Sequence, residues 1–394
     1  MKVILSICLI LFGFTSCNYL SKKSINLCPI QSNYSFIDVD FDLYDCFQES
    51  RKFHCEFFNG GASYGYKVFD TTKGINPREY NKILALRIND ESDFEDLNKF
   101  VNLEYLYLFA VKKIPSNIKY LKKLKILLLD SSGFQEIPDW IGEMSNLEVL
   151  SVNRADNITY LTPEIHKLSN LKELYLLRFH RLKLQFIDYS KFQKLEKLIL
   201  SDNSEDLLNK TIKTCKFMSQ MQTKYYHQYI ADLVKLKLLV IDFVTTDTDL
   251  TGINKLKNLE ELFIVGSYEF ATIDERISEI PKLRNLGIDF SFTRTKINEV
   301  KLNFPKLEYL YLRSYYLDQI PIYYMPNLKY LACKSIEEEN NILVPNELLN
   351  YKKLRYADIS GKGIKGYEFN INNCLLYTST PYRSSVASAG TCVS

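Results

Sequence analysis

The chain has 394 residues, of which 46% are hydrophobic and 25% charged, and its formal charge is only +3. That length suits two or three ordinary domains or one long repeat array, and the apolar content argues against a disordered chain. Acids and bases alternate along the sequence, so it shows no basic stripe of the kind a phosphate backbone requires, and nucleic acid is disfavoured as a partner.

Met1-Lys2 followed by the apolar run Val3–Phe14 is too short to span a bilayer and has the length of a signal-peptide core. Residues 1–16 are therefore expected to be a signal peptide. Phe14-Thr15-Ser16-Cys17 resembles a bacterial lipobox, with Phe14 where leucine is usual. The resemblance implies lipidation of Cys17 and a membrane anchor. The chain is then expected in the cell envelope as an outer-membrane or surface lipoprotein; ordinary secretion is the alternative. Residues 17–82 lack internal repeats and are expected to be a tether and an N-terminal cap. Cys28, Cys46 and Cys55 lie there, and one disulfide among them is expected, with the pairing open.

From Ile83 onward a single pattern recurs: an apolar residue, two variable residues, a second apolar residue, one variable residue and a third apolar one. Clear instances are Leu103-Leu106-Leu108, Leu147-Leu150-Val152, Leu259-Leu262-Ile264 and Leu307-Leu310-Leu312. Ile83-Leu86-Ile88 and Leu354-Ala357-Ile359 are the weaker first and last of twelve such units. The alternation suits a strand with one face turned inward. Between strands the spacing turns helical, as in Ile114-Pro115…Ile118…Leu121 and Leu161-Thr162-Pro163…Ile165…Leu168. No unit can bury its apolar face alone, so the units must stack.

This pattern resembles the leucine-rich repeat family, in the class with an Ile/Leu-Pro-x-x-Ile-x-x-Leu convex segment. The resemblance implies an α/β solenoid, a curved horseshoe with a parallel β-sheet on the concave face and short helices on the convex face. Residues 83–373 are expected to form it. An asparagine usual after the last leucine is found only at Asn203; elsewhere Ser132, Ala155, Ser267 or Ser291 stands there, so the turns need other hydrogen-bond partners. The step from Leu195 to Leu236 is longer than the rest. Leu208, Ile212, Cys215, Met218, Tyr226, Tyr229, Ile230 and Leu233 within it suggest a longer convex helix, giving an enlarged repeat at 201–235. Cys333 takes a leucine position and is expected to be buried.

The segment 374–394 breaks the pattern. Cys374-Leu-Leu-Tyr-Thr-Ser379 matches one reading frame of a transposase-based sequencing adapter. The segment is read as a non-native tail, with the natural C-terminus beyond about residue 373 missing.

No catalytic motif emerges, and no enzyme activity, cofactor or metal is expected. His54, His166, His180 and His227 fit no metal or triad spacing, and His166 is expected to be a solvated surface residue. Gly361-Lys-Gly363-Ile-Lys-Gly366 lacks a βαβ unit and is read as a turn. Asp38, Asp40 and Asp42 are read as a solvated edge strand, with calcium as the alternative.

The fold resemblance implies that the variable strand residues point to the concave surface. They include Tyr105, Tyr107 and Phe109 early, Tyr175 and Phe263 in the middle, and Tyr309, Tyr311, Arg313, Tyr330, Lys334 and Tyr356 late. Tyrosine and arginine are enriched where binding energy concentrates. The resulting expectation is protein–protein binding through the concave face. The alternatives are a surface glycan-binding protein, with tyrosines stacked on sugars, and the binding arm of an enzyme whose C-terminal part is missing.

Overall fold

The computed structural model describes residues 68–70, 72–130, 133–154, 157–158, 161–177, 188–201, 230–244, 250, 252–266, 275–290, 302–314, 322–335, 348, 351–360 and 375–377. The signal peptide, Cys17, Cys28, Cys46, Cys55, the aspartates at 38–42 and the glycines at 361–366 lie outside them. So do His54, His180, His227, Asn203, Ser132, Ala155, Ser267 and Ser291.

The apolar pattern becomes one parallel sheet of fourteen strands running in chain order from Val68–Phe69 to Leu375–Tyr377. Its register is the one the repeat dictates. The middle leucines pair in sequence, Leu106 with Leu127, Leu127 with Leu150, Leu150 with Leu174, and onward to Leu310 with Leu331. Because strand side chains alternate, a slip of one residue would turn every leucine outward, so burial of one face fixes the pairing. The framework leucines form a continuous core row, with Leu103, Leu106, Leu108, Leu124, Leu127 and Leu129 all buried. Cys333 is also buried in this row, between Leu312 and Ile359.

The strands on either side of the long step are neighbours in the sheet. Lys197–Ser201 pairs directly with Leu238–Val244, with Leu198 opposite Leu239. Of the residues expected on a longer helix, Ile230 and Leu233 are described; both are buried, at and just after a short 3₁₀ turn, Ile230–Asp232.

Every helix among the described residues is a 3₁₀ helix. Examples are Ser116–Tyr120, Asp139–Glu143 and Pro163–Lys167. Each turns its isoleucine (Ile118, Ile141, Ile165) into the core. Units of about two dozen residues leave room for one tight turn, and a proline at or just after the cap position sets its first dihedral. Successive turns approach closely: a β-carbon added to Gly142 would lie 2.5 Å from the Glu164 carbonyl oxygen of the next unit. In two late units the convex segment is extended instead. Leu302–Asn303 and Ile322–Tyr324 pair as a small separate parallel sheet, where β-branched and aromatic residues replace helix formers.

The stack reaches beyond the twelve units at both ends. Val68–Phe69 pairs with Ala85 and Leu86, within the segment assigned to the cap. There Thr72 donates its hydroxyl to buried Asp93 at 2.6 Å, and Tyr80 packs against Phe100. At the other end Leu375–Tyr377 pairs with Tyr356–Asp358. An open parallel edge accepts any apolar triplet of suitable register, so this pairing is silent on the origin of the tail.

The turns that lead into the strands carry a hydrogen-bond ladder that the search for Asn203-type residues missed. It sits on the residue just before each first leucine, which is Asn or Lys in every one of the twelve units. Asn102, Asn146, Asn170, Asn258 and Asn327 each donate to a turn carbonyl of the preceding unit. Lys123, Lys194, Lys282 and Lys353 each donate to the asparagine one unit back. Lys306 follows a lysine rather than an asparagine and donates directly to the Pro281 carbonyl. Side chains thus satisfy acceptors in the turns before the strands.

Candidate binding surface

The variable strand positions share the sheet face opposite the framework leucines, but they are not uniformly exposed. Tyr105, Tyr107, Tyr175 and Tyr311 are all buried, at 0–2% relative exposure. The expectation that these four rings face outward is therefore corrected. Their neighbours explain part of it. Tyr105 and Tyr107 are in register with Ile126 and Leu128, which are buried too, so the early wall is apolar. Tyr311 stands between Gly287 and buried Ala332 in its row. Burial pushes the Tyr105 and Tyr107 hydroxyls far above the usual phenol range.

Buried polar groups on this face bond to one another. The Tyr107 hydroxyl donates to Asp130 at 3.2 Å, and the Asn153 amide donates to the other oxygen of the same carboxylate. Tyr175 donates to Glu173 at 2.8 Å. The two bonds to Asp130 tie three neighbouring strands together, whereas the Tyr175–Glu173 bond lies within one strand.

The late end is different. Tyr309 and Tyr330 are half-buried and directly opposite in register, with ring centroids 4.6 Å apart and planes within 5°. Tyr356 follows in the same row, opposite Tyr330. Burial first, then the Tyr330 ring and Glu308, raises the Tyr309 hydroxyl to about 12, with Arg355 acting in the opposite direction. Two positions along the strand, Tyr311 has its buried site, and two further on Arg313 reaches Asp289 at 3.7 Å. Asp289 is almost wholly buried, so Arg313 serves the fold as well as the surface. Lys334 is opposite Arg313 in the backbone register. Phe263 is partly exposed, two strands before Tyr311. Among the predicted residues whose side chains are described, Phe109, Phe263, Tyr309, Arg313 and Tyr330 are partly exposed, and all but Phe109 lie in the later half of the sheet.

His166 also departs from expectation. It lies in the turn Pro163–Lys167, partly buried beside Phe192, and its Nε2 accepts the Asp188 backbone N–H at 3.0 Å. Burial holds its pKa below the ordinary histidine value.

The fold is an α/β leucine-rich repeat solenoid, an open parallel sheet with short helical turns along its back. No protein-family profile matches the sequence, and no curated protein matches it. Among solved structures, an internalin of Listeria monocytogenes aligns over 79% of this chain and 90% of its own, at 16% identity and a TM-score of 0.50. A leucine-rich repeat protein of Leptospira interrogans aligns over 75% of this chain and 82% of its own, at 18% identity and a TM-score of 0.45. The internalin likeness extends to the fold and no further. Among the described residues no helix is long and apolar enough to cross a membrane.

Proposed function

We propose that this chain is a non-catalytic, extracytoplasmic binding protein, anchored by a lipid on Cys17, that recognises a protein partner through the late concave surface around Tyr309 and Tyr330. The observation that carries the reading is the stacked, half-exposed tyrosine pair, held in register by framework leucines on both sides. Two parallel rings in adjacent strands are pre-ordered by the sheet, so they lose little entropy when a ligand covers them. Each turns a face to the other, and both rings are partly exposed on the sheet surface. That arrangement suits hydrogen bonds to peptide groups. A sugar stacks on an open ring face, and the pairing takes up one face of each ring. Glu308 and Arg355 beside the pair, and Arg313 farther along the strand, supply charges of both signs for a partner to match.

The test is comparative co-purification from native cells with mass-spectrometric identification, using wild type and a Tyr309→Ala/Tyr330→Ala variant of unchanged melting temperature. A protein retained by wild type and lost by the variant is the expected result. Equal recovery with both baits would remove the late face as the recognition site, and loss after glycosidase treatment of the target would restore the glycan reading.

A further inference from the structure

The turns that lead into the strands carry a charge asymmetry that is invisible in the linear sequence. Three residues of each turn stand on this edge of the solenoid: the two before the first framework leucine and the one after it. Over twelve units these thirty-six positions hold sixteen Lys or Arg and five Glu, and no Asp. The edge therefore carries +11 in a chain whose total is +3, which leaves −8 for everything else. Strands in a sheet repeat every 4.7–4.9 Å, so twelve turns make a row about 50 Å long.

The five glutamates do not cancel this row. All of them occupy the position after the leucine, where they alternate with cations: Glu104, Lys125, Glu148, Lys172, Glu196, Lys237, continuing through Glu308 and Lys329. Four pair within the edge to the lysine of the next unit, at 2.6–3.0 Å. Lys82, before Ile83, pairs with Glu79 outside the edge, but five other lysines before the leucine are different. Lys123, Lys194, Lys282 and Lys353 are exposed and donate to neutral asparagine oxygens, and Lys306 donates to a carbonyl, so their charge is held in place and not neutralised.

The composition of the edge identifies the kind of partner. Fourteen of the sixteen cations are lysine, a hydrated point charge, and only Arg284 and Arg355 offer the fork that reads individual phosphates. None of the thirty-six positions is aromatic, so there is no platform on which nucleic-acid bases could stack. A long row of exposed lysines with few arginines and no aromatic residues matches a diffuse field of negative charge. We infer that this edge docks the solenoid sideways onto an anionic phospholipid surface, which leaves the concave face free to meet its partner. The inference rests on the edge alone, and it stands whether or not Cys17 carries lipid and whatever the concave face binds.

The test uses the full chain with Cys17→Ser, so that no attached lipid contributes. Co-sedimentation is measured with phosphatidylcholine vesicles and with vesicles containing about 30% phosphatidylglycerol, at about 0.05 M and about 0.5 M salt. Two variants are compared: Lys235→Glu/Lys282→Glu/Lys306→Glu on the edge, and Lys112→Glu/Lys113→Glu/Lys119→Glu away from it, each checked for an unchanged melting temperature. The expected result is binding to the anionic vesicles only, at low salt only, reduced at least about tenfold by the edge variant and distinctly less by the other. Equal binding to neutral vesicles, equal loss in both variants, or retention of soluble polyphosphate without vesicle binding would each overturn the proposal.

Discussion

At the scale of single residues, the structure assigns sharp roles to groups the repeat pattern leaves anonymous. Gly142 is one of the chain's few glycines, and its missing side chain makes room for the Glu164 carbonyl of the next convex turn. Gly142→Ala is expected to cost about 1–3 kcal/mol, read from urea unfolding, because backbone rather than a flexible side chain must give way. An unchanged midpoint would show that the two turns separate easily. His166 accepts a backbone N–H and so must be neutral in the fold. Its folded pKa is depressed by burial, so its contribution is fully present above the unfolded value of about 6.5 and is lost as pH falls below that value toward the folded one. Wild type should therefore lose melting temperature between about pH 7 and pH 5 relative to His166→Gln, which keeps an acceptor and does not titrate. Parallel pH profiles for the two proteins would exclude this role.

Elements explain how units of similar sequence find the right neighbours. In-register parallel stacking places equivalent residues less than 5 Å apart, so a repeated charge would repel itself along the whole solenoid. After each first leucine the sequence answers with strict alternation from Glu104 to Lys329, and Arg355 is the first residue to break it. Each exposed pair contributes only about 0–1 kcal/mol, so the alternation acts chiefly on register. Glu148→Lys, which sets three cations in a row with Lys125 and Lys172, should cost up to about 1 kcal/mol at low salt and recover at high salt. A cost that ignores ionic strength would mean that Glu148 acts through packing.

The framework leucines, the register and the buried place of Cys333 could all be read from the sequence, because strand periodicity and burial together admit one solution. The 3₁₀ character of the convex turns and the extended segment at Ile322–Tyr324 could not. Helical spacing over five residues does not distinguish between helix types. Of the tyrosines, alternation identified the face correctly but could not tell Tyr309 from Tyr311. Tyr309 and Tyr311 hold equivalent alternating positions, and burial is set by tertiary surroundings that alternation does not encode.

For the whole molecule, stacking turns a nearly neutral chain with mixed charges into a polarised one. The lysine edge is a property of twelve turns superimposed, and reading charges in linear order conceals it. The late concave face is a second distinct surface, built on the strands Tyr309–Ser314 and Tyr330–Ser335. A solenoid suits such division of labour, because each unit supplies residues to every surface and the core is unaffected by what the surfaces carry.

The most direct test of protein recognition by the concave face is photo-crosslinking in native cells. The photoreactive side chain p-benzoylphenylalanine would replace Tyr309, or Tyr330, or the exposed convex Tyr120 as a control. Concave recognition predicts one protein crosslinked from both 309 and 330 and absent from 120. Crosslinks from 120 alone, or none from either concave position while the protein is folded and localised, would contradict it.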